Sequence, residues 1–489
     1  EEEPNLPTAT GTPQGRYPSA GISIGGMPTA IWNEYTNSSH GGGTYGGYPL
    51  YAYDSQGGGE QTLWTNTFHV NNGCNTMPCD PSDLWNANAS VISGQDGPVF
   101  TSLFNGWSTS PTDFYWINSN LHANGYFIMN DPYVVASDAQ TVNGGDPLWL
   151  DNGNYTSAPD VHINQNGVGY IGQIGYSSNS GSENPKLHTF WFKKTEDFGN
   201  TWTSVGGYMN SGYGFISDET MIRITDSLYQ HFTDNPNDYP DQLWYGDTIT
   251  YTDVDGPCYL TPGLFPYYDF DMRTDNNGGL HLAIVAVPYV CSSDNLGCED
   301  FDGDGLADTL FTEGRYGNAG HYYLYNPNPF EEPNNWRISL INDLSSTYEA
   351  NWGDSDIPHV NSGSYPPMYY FYPQITLSED ENSQVIWYAG FEGSGFSWSE
   401  DSLDKYPNDI DIFMSKSTNL GLTWSELENV TNTPGGLFPD KHLEVGVHLA
   451  SYGTNDNVGV FYQVPDFYTE TYPPATGYED YLNRVYVGI

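Results

Sequence analysis

Alternating apolar and polar residues recur along this 489-residue chain, and the alternating segments follow similar turn-like motifs. Such a period of two is typical of half-buried β-strands. The motif Thr431-Asn-Thr-Pro-Gly-Gly-Leu-Phe-Pro439 matches Thr10-Gly-Thr-Pro-Gln-Gly-Arg-Tyr-Pro18 at two threonines, a proline, a glycine, an aromatic residue and a final proline. Prolines that open such segments lie at positions 18, 159, 266, 373 and 439. The pattern therefore predicts a loosely repetitive, β-rich protein.

Short polar segments between the alternating runs predict β-hairpins. Asn-Gln-Asn-Gly at 164–167 and Asp-Asn-Asn-Gly-Gly at 275–279 are typical hairpin turns. Gly-x-Ser-x-Gly at 21–25 matches a hydrolase nucleophile motif, but Pro28 and another strand follow instead of a helix, so we expect a hairpin there too. The segment Asp218–Phe232 lacks Gly and Pro and is a helix candidate, with a loop insertion as the alternative.

Two segments share an eight-residue pattern. Thr195–Trp202 fits Ser/Thr-x-Asp-x-Gly-x-Thr-Trp in full, and Ser417–Trp424 fits it with Asn in place of Asp. We expect a hairpin turn in which the short polar side chain accepts backbone N–H groups and Gly adopts a positive φ. Thr and Trp then begin the next strand, with the indole packed on the neighbouring unit. Tyr53–Trp64 and Tyr325–Trp336 are weaker relatives.

This pattern resembles the Asp box of the sialidase-like β-propeller superfamily, in which the box is a structural turn away from the catalytic face. The resemblance implies an all-β fold: one domain over residues 1–489, forming a β-propeller of about six four-stranded blades. We expect Leu482–Gly488 to be a third strand and the residues up to Thr12 to be the fourth strand of the same blade, so that the two termini close the ring. Two separate β-sandwiches are the alternative.

Composition limits the possible partners. The chain has 12 Lys and Arg against 61 Asp and Glu, a formal net charge of −49, so nucleic acid and anionic membrane surfaces are excluded as partners. With 55 Gly and 33 Pro, a mainly helical protein is also excluded. The sequence contains no run of 18 apolar residues, so it predicts no membrane span. The first residues, Glu1-Glu2-Glu3-Pro4, do not form a signal peptide, so an exported protein would already have lost its signal.

Five cysteines lie at positions 74, 79, 258, 291 and 298. Cys74 with Cys79, and Cys291 with Cys298, are close enough in sequence for local disulfides, which indicates an oxidising compartment and an extracellular or cell-surface location. Five free thiols in a cytosolic protein are the alternative. Cys258 is left without an assigned partner.

The segment Asp300-Phe-Asp302-Gly-Asp304-Gly-Leu306-Ala-Asp308 is a candidate calcium site. Carboxylates at positions 1, 3, 5 and 9, with Gly at position 6 and the Leu306 carbonyl at position 7, suit a hard cation. The segment resembles EF-hand and dockerin calcium loops but has Phe311 in place of their bidentate Glu. We expect a calcium-binding loop insertion near 291–313, with a solvated acidic loop as the alternative.

The resemblance to sialidases also implies a test for catalysis, since those enzymes bind a carboxylate with three arginines and use an Asp acid/base and a Tyr nucleophile polarised by Glu. Arg16-Tyr17-Pro18 matches their first arginine motif, and Arg223 and Arg273 could complete a triad, although nothing in the spacing requires it. A net charge of −49 opposes an anionic substrate. No catalytic residue is therefore assigned.

The sequence favours an exported, calcium-binding propeller that acts as a non-catalytic extracellular binding, adhesion or structural protein. A sialidase-like glycoside hydrolase that uses the central pocket is the alternative. Tyrosine-rich segments at 365–372 and 462–481 could stack on sugars or contact other proteins, although packing explains them as well. The expected partners are calcium, glycans, surface or matrix proteins, or further copies of the chain.

Overall fold

Antiparallel β-strands account for most of the part of the chain that the computed structural model describes. The described residues are 15–22, 28–36, 46–54, 68–69, 84–94, 97–106, 113–121, 127–130, 133–137, 139–141, 147–150, 159–179, 187–205, 212–240, 242, 244–245, 249–253, 256–260, 263–290, 310–311, 320–344, 373–398, 405–434, 444–465 and 483–488. The chain forms two compact units. The first comprises Glu1–Phe215, Thr274–Leu280 and Pro327–Pro333, and the second comprises Ile216–Arg273, His281–Asn326 and Asn334–Ile489.

Among the described residues, fifteen strands precede the helix. They are β1 (Gly15–Ile22), β2 (Pro28–Thr36), β3 (Gly46–Tyr53), β4 (Phe68–His69), β5 (Leu84–Gly94), β6 (Gly97–Gly106), β7 (Asp113–Leu121), β8 (Phe127–Met129), β9 (Tyr133–Ser137), β10 (Ala139–Thr141), β11 (Pro147–Leu150), β12 (Asp160–Ile163), β13 (Gly169–Asn179), β14 (Leu187–Thr195) and β15 (Gly214–Phe215). They form a four-stranded sheet β1-β2-β3-β4, a sheet β5-β6-β7-β8 with β9 beside β7, and a sheet β10-β11-β13-β14-β15 with β12 beside β13.

From residue 218 onward, the described part of the chain holds α1 (Asp218–Asp234) and fourteen strands. They are β16 (Ile249–Asp253), β17 (Gly256–Leu260), β18 (Gly263–Thr274), β19 (Leu280–Val290), β20 (Leu310–Phe311), β21 (Gly320–Asn326), β22 (Arg337–Asp343), β23 (Gln374–Leu377), β24 (Ile386–Trp398), β25 (Lys405–Ser417), β26 (Glu428–Asn429), β27 (Val445–Leu449), β28 (Val460–Pro465) and β29 (Asn483–Gly488). The sheets are β16-β17, β18-β19-β21-β22 with β20 beside β19, β23-β24-β25-β26, and β27-β28-β29. The mostly-β class with several four-stranded antiparallel sheets is thus confirmed, as is a strand at the C-terminal segment.

Both predicted hairpin turns are present and use the same side-chain chemistry. The Asn164 side-chain oxygen accepts the N–H groups of Asn166 and Val168, at 2.9 and 3.0 Å, between β12 and β13. The Asp275 carboxylate accepts the N–H groups of Asn277 and Gly279, at 2.8 and 2.9 Å, between β18 and β19. In each turn a short polar side chain replaces backbone partners, as the sequence predicts. The strands β1 and β2 also pair antiparallel, which fits the hairpin expected near Gly21.

The helix candidate folds as α1, and the loop alternative is wrong. The side chain of Ser217 caps the first turn by accepting the N–H of Thr220 at 3.2 Å. Met221, Ile224, Leu228 and Phe232 are buried at helical spacing. Among the described residues no helix is both long and apolar enough to cross a membrane.

The two eight-residue segments form closely similar turns. The Thr195 hydroxyl accepts the N–H of Gly199 at 2.9 Å, and Asp197 Oδ1 accepts the N–H of Thr201 at 2.8 Å. The Ser417 hydroxyl accepts the N–H of Gly421 at 2.8 Å, and Asn419 Oδ1 accepts the N–H of Thr423 at 2.9 Å. Gly199 and Gly421 have φ of 78° and 75°. The hydrogen bonds and positive φ expected of these hairpin turns are therefore present.

The next strand does not begin at the Thr-Trp pair, contrary to the sequence expectation. After the first turn the chain reaches β15 only at Gly214. The N–H of Thr203 donates to the Lys194 carbonyl at 2.8 Å, while the Thr203 hydroxyl accepts the Lys194 N–H at 3.1 Å. Ser425 makes the same pair of bonds with Lys416, at 2.9 and 3.0 Å. Because a side-chain hydroxyl takes the place of a backbone carbonyl, the ladder stops after one residue.

The repeated Thr-x-Thr-Pro motif holds a buried carboxylate. Asp411, on β25, accepts the N–H of Thr433 at 2.9 Å and the hydroxyl of Thr431 at 3.2 Å. The Thr433 hydroxyl also donates to Glu444 at 2.9 Å, immediately before β27. The motif thus fastens the connection between an outer strand and the first strand of the next sheet. The matching threonines, Thr10 and Thr12, lie outside the described residues.

Candidate functional site

Every residue predicted to bind calcium lies outside the described part of the chain: Asp300, Asp302, Asp304, Leu306 and Asp308. The calcium site therefore stays a prediction. The same is true of the residues up to Thr12, the tyrosine-rich segment 365–372, and the disulfides at Cys74–Cys79 and Cys291–Cys298. In the tyrosine-rich segment 462–481, Tyr462 is described and stacks on Tyr486, with ring centroids 5.2 Å apart.

The arginines weighed for an anion-binding triad make separate contacts. Arg223, on α1, donates from Nη2 to the backbone carbonyls of Asn334 and Trp336, at 2.6 and 3.2 Å. Arg273, on β18, donates from Nη1 to Asp271 at 2.5 Å. The side chain of Arg16 is not among those described. Arg223 thus uses Nη2 to hold the segment before β22, and among the described residues it shares no partner with Arg273.

Asp271 joins two sheets of the second unit. Its side chain is 7% exposed, and its Oδ2 accepts the N–H of Ile375, on β23, at 2.7 Å. Its Oδ1 accepts the N–H of Met272 at 2.9 Å in addition to Arg273. These bonds anchor the beginning of β23 to β18, so the pair is best explained by packing of the two sheets.

A second group of polar residues collects where β22 ends and where β24 extends past the start of β23. Gln374, the first residue of β23, pairs with Ala389, so Glu392 lies three residues beyond that point on β24. Asn342 and Asp343 are the last two residues of β22. We call Asn342, Asp343, Tyr388 and Glu392, together with His321, the Glu392 site. All five belong to the second unit.

A buried hydrogen-bonded pair lies beneath Glu392. His321 and Tyr388 are each 0% exposed, and His321 Nδ1 is hydrogen-bonded to the Tyr388 hydroxyl. His321 lies directly opposite Asn342 in the β21–β22 pair, and Asn342 Nδ2 donates to the same hydroxyl at 3.3 Å. Gly390 provides the space, since a Cβ there would lie 2.1 Å from the Tyr388 hydroxyl oxygen. The pairing of Asn342 with His321, and the space that Gly390 leaves for the Tyr388 hydroxyl, together fix the position of Asn342.

The pKa of Glu392 is raised above its ordinary value. Burial of the carboxyl is the main cause; a hydrogen bond from Asn342 opposes it, and the charge of Asp343 adds to it. Burial, with a smaller effect of Glu392, also raises the pKa of Tyr388 far above its ordinary value. Asp343 is exposed, and its Oδ2 accepts a hydrogen bond from Gln242. The Glu392 site thus holds one half-buried carboxyl with a raised pKa and a second carboxyl that is exposed to solvent.

A third carboxylate is close in register but turned to other partners. Asp411 lies opposite Glu392 in the β24–β25 pair. Its oxygens accept from Asn429, at 2.7 Å, and from the Thr-x-Thr-Pro motif described above. The hydrogen bonds of Asp411 are therefore made to residues outside the Glu392 site.

Sequence reasoning did not single out any residue of the Glu392 site. Asn342 and Asp343 look like an ordinary strand end, and Glu392 lies in the run Phe-Glu-Gly-Ser-Gly between apolar residues. The one available signal is Glu392 itself, a charged residue within an alternating strand. It lies on the same face of β24 as the buried residues Ile386 and Tyr388. Its relation to Asn342, which lies in another sheet, is not visible along the chain.

The sequence matches no protein-family model and no curated protein sequence. Among solved structures the chain is similar to an α-L-arabinofuranosidase from Fusarium graminearum, with 11% identity, a TM-score of 0.41, and coverage of 99% of this chain and 95% of that one. It is also similar to an α-L-arabinanase from Penicillium chrysogenum, with 12% identity, a TM-score of 0.40, and coverage of 94% and 91%.

A Hadza microbial sialidase is similar at 9% identity with a TM-score of 0.40. The match covers 92% of this chain, which spans 63% of the length of that sialidase. These neighbours are propeller glycosidases. Because the identities and TM-scores are low, the likeness decides neither the number of blades nor the activity of this chain.

Proposed function

We propose that the protein is a glycoside hydrolase of neutral glycans in which Glu392 is the proton donor. The observation that carries this proposal is the partly buried Glu392 carboxyl, whose pKa is raised by burial and, to a smaller extent, by the charge of the exposed Asp343. Two carboxyl groups with different environments are the minimum that glycosidic hydrolysis needs. A net charge of −49 favours a neutral substrate over an anionic one.

In the proposed reaction, protonated Glu392 gives its proton to the glycosidic oxygen as the bond from that oxygen to the anomeric carbon breaks. The leaving sugar departs as an alcohol, and water supplies the hydroxyl that bonds to the anomeric carbon. Asp343, oriented by Gln242, is the second carboxylate and stabilises the positive charge of the transition state. The proton that water loses restores Glu392.

The test compares the wild-type chain with Glu392→Gln on a panel of p-nitrophenyl glycosides, including the α-L-arabinofuranoside, with a sialic acid glycoside as the anionic member. We expect hydrolysis of a neutral member, with kcat falling at least about a hundredfold in the variant, because general acid catalysis contributes that much. Wild-type activity should fall as pH rises through the raised pKa of Glu392, since the acid form is then lost.

Glu379→Gln is the matched control. Burial also raises the pKa of Glu379, but this residue lies in the turn after β23, at the other end of that strand. We expect this variant to keep wild-type kcat. Equal losses in both variants, or an unchanged kcat in Glu392→Gln, would contradict the proposal.

The non-catalytic binding function is the second candidate. Phe461, Val485 and Val487 are 43%, 66% and 62% exposed, and Phe461 pairs with Val487 in register. Such an exposed apolar surface favours a contact with another molecule. Saccharide binding without hydrolysis of any panel member would select this function over the first.

We also propose the finer parts of the sequence interpretation: an Asp-box propeller of about six blades, calcium at 300–308, and an extracellular or cell-surface location. The hydrogen-bond pattern of the turns at Thr195–Trp202 and Ser417–Trp424 supports the Asp-box assignment. Calcium binding would raise the melting temperature by mass action. A melting temperature that chelation with EDTA leaves unchanged would contradict the calcium site.

A further inference from the structure

Two hairpin turns of the first unit, at 164–168 and 275–279, are alike residue by residue. In each, the side-chain oxygen of the first residue, Asn164 or Asp275, accepts the N–H groups of the third and fifth residues. The third and fourth residues are Asn-Gly in both turns. The glycine has a φ of 83° in the first turn and 89° in the second, and its N–H donates to the carbonyl of the first residue at 3.0 Å in each. The two Asn-Gly pairs therefore share one backbone geometry.

The asparagines of the two pairs, Asn166 and Asn277, differ in how the side chain is held. Both residues are exposed. Asn166 Nδ2 donates to the backbone carbonyl of Asn276 at 3.0 Å, which ties this amide to the other turn. The side chain of Asn277 makes no hydrogen bond to any residue that the structure describes, although its backbone N–H donates to the Asp275 carboxylate at 2.8 Å. One side-chain amide is thus tethered, and the other is free to rotate.

An Asn-Gly pair can react without an enzyme, because glycine has no side chain to hinder the approach of its backbone nitrogen to the preceding amide. The glycine nitrogen bonds to the asparagine Cγ, the bond from Cγ to the amide nitrogen breaks, and ammonia leaves with the proton of the glycine N–H. Water then adds to either carbonyl of the cyclic imide and breaks the bond from that carbonyl to the ring nitrogen. The product is aspartate or isoaspartate, according to which bond water breaks.

We propose that Asn277 is a modification site of this protein, deamidated through attack of the Gly278 nitrogen and hydrolysis by water, and that the contact with Asn276 protects Asn166 from the same reaction. In both turns the glycine N–H must first leave its carbonyl partner, so this cost is common to the two sites. The reaction at Asn166 also requires Nδ2 to leave the Asn276 carbonyl, because Cγ must move toward the glycine nitrogen. Asn166 is therefore held back by one further hydrogen bond.

Charge does not account for this order of reactivity. The first residue of the turn is neutral in one case, Asn164, and an acid in the other, Asp275. A negative charge opposes ionisation of the nearby Gly278 N–H, which the attack requires. The charge difference therefore acts against faster reaction at Asn277, and the tether on Asn166 has to outweigh it.

The modification would weaken the attachment of the second turn to β13. The buried Tyr170 donates its hydroxyl to the Gly278 carbonyl at 2.7 Å. Isoaspartate inserts an additional carbon atom into the main chain between Asn277 and Gly278, which displaces that carbonyl. Because the buried Tyr170 hydroxyl then loses its acceptor, we expect the modified chain to be less stable.

The test incubates the folded wild-type chain in mildly alkaline buffer and follows both sites by peptide mapping and mass spectrometry. The same chain unfolded in guanidinium chloride gives the reference rate of each Asn-Gly pair without the turn or the tether. We expect folding to slow the reaction at Asn166 about twofold to tenfold more than at Asn277, as the loss of one hydrogen bond predicts. In the control variant Asn277→Ser, Asn166 should react as in the wild-type chain.

A second measurement follows the effect on stability. Incubated wild-type chains should melt at a lower temperature than fresh ones, whereas Asn277→Ser should keep its melting temperature. In Tyr170→Phe the fresh chain already lacks the bond to Gly278, so incubation should lower its melting temperature by less than in the wild-type chain.

Three results would overturn the proposal. They are equal slowing at the two sites, greater slowing at Asn277 than at Asn166, and a folded chain in which Asn277 stays intact while the unfolded chain reacts. Faster reaction at Asn277 with an unchanged melting temperature would support the modification site and contradict its effect on the Tyr170 contact. None of these results depends on whether the protein hydrolyses glycosides.

Discussion

The turns at Thr195–Trp202 and Ser417–Trp424 have nearly the same backbone and hydrogen bonds, yet they differ in one partly exposed charge and in how each tryptophan is held. Asp197 binds Thr201 through both carboxylate oxygens, at 2.8 and 2.6 Å. Asn419 makes the corresponding bonds with Thr423 through its oxygen and its nitrogen, both at 2.9 Å. The geometry of this turn therefore requires a short side chain with two polar atoms and does not require a charge.

The tryptophans that close the turns differ more. Trp202 packs edge-on against Trp116, with ring centroids 5.2 Å apart, and its Nε1–H is buried without a partner in the described part of the chain. Trp424 packs edge-on against Tyr323 at 5.5 Å and donates its Nε1–H to Ser339 at 3.1 Å. The same sequence position thus serves as packing in one unit and as packing plus a hydrogen bond in the other.

The largest expected effect comes from the glycine that both turns share. In Gly421→Ala the new Cβ would lie 2.1 Å from Tyr323 Cε1 at a φ of 75°. We expect the free energy of unfolding to fall by more than about 3 kcal/mol, since overpacking and backbone strain add. Gly199→Ala, with a 2.5 Å approach to Trp116, should come next. Urea unfolding measures both.

Gly446→Ala separates strain from overpacking. Gly446 has a φ of 62°, but a Cβ there would meet nothing closer than 3.6 Å. Strain alone should cost about 1–2 kcal/mol. If Gly421→Ala cost no more than Gly446→Ala, the packing of the turn against Tyr323 would be contradicted.

A smaller difference should separate the two tryptophans. Replacing Trp424 with Phe removes a buried hydrogen bond and leaves the Ser339 hydroxyl with one partner fewer, whereas Trp202→Phe removes an N–H that has no partner. We expect Trp424→Phe to lower the unfolding free energy by about 1–2 kcal/mol more than Trp202→Phe. Ser339→Ala should erase most of that difference, and an unchanged difference in that background would contradict the role of this bond.

The smallest effect concerns the charge itself. Burial alone would raise the pKa of Asp197, but hydrogen bonds from the hydroxyl and N–H of Thr201 and from Thr195 outweigh it and lower that pKa. Its contribution to stability is therefore present above the unfolded pKa and is lost as pH falls through the lowered, folded value. Because the side chain is partly exposed, we expect less than about 1 kcal/mol.

The measurement is the change in unfolding free energy between pH 6 and pH 3. We expect this change to shrink in Asp197→Asn and to grow in Asn419→Asp, where a carboxylate gains the equivalent donors. The double variant serves as the control, because its pH-dependent change in unfolding free energy should equal the sum of the effects of the two single substitutions. Identical pH dependence in all four proteins would show that the charge at this position contributes nothing.

The turns show which features of this protein its sequence predicts. A hairpin stabilised by Asn164 or Asp275 is local, so its residue types alone predict it. The end of the ladder at Thr203 and Ser425 could not be predicted, because it depends on a hydroxyl that replaces a backbone carbonyl. The lack of Gly and Pro over 218–232 made this segment a helix candidate, but the beginning of α1 is set by the cap at Ser217.

The Glu392 site could not be predicted for a different reason. Asn342 lies in one sheet and Tyr388 and Glu392 lie in another, so only the packing of the two sheets brings Asn342 to Tyr388. The sequence spacing between Asn342 and Glu392 contains no motif that a search along the chain would detect. For Arg223 the residue type suggested anion binding. In the structure its Nη2 donates to a backbone carbonyl of the segment before β22, a contact that the sequence does not show.

The leaving-group dependence of Glu392→Gln tests the central claim most directly. A proton donor is needed for poor leaving groups and dispensable for very acidic ones. If Glu392 donates the proton, the variant should hydrolyse a 2,4-dinitrophenyl glycoside at close to the wild-type rate while losing the corresponding methyl glycoside, and its alkaline pH limb should disappear. An equal loss on both substrates, or no loss on either, would show that Glu392 does not transfer the proton.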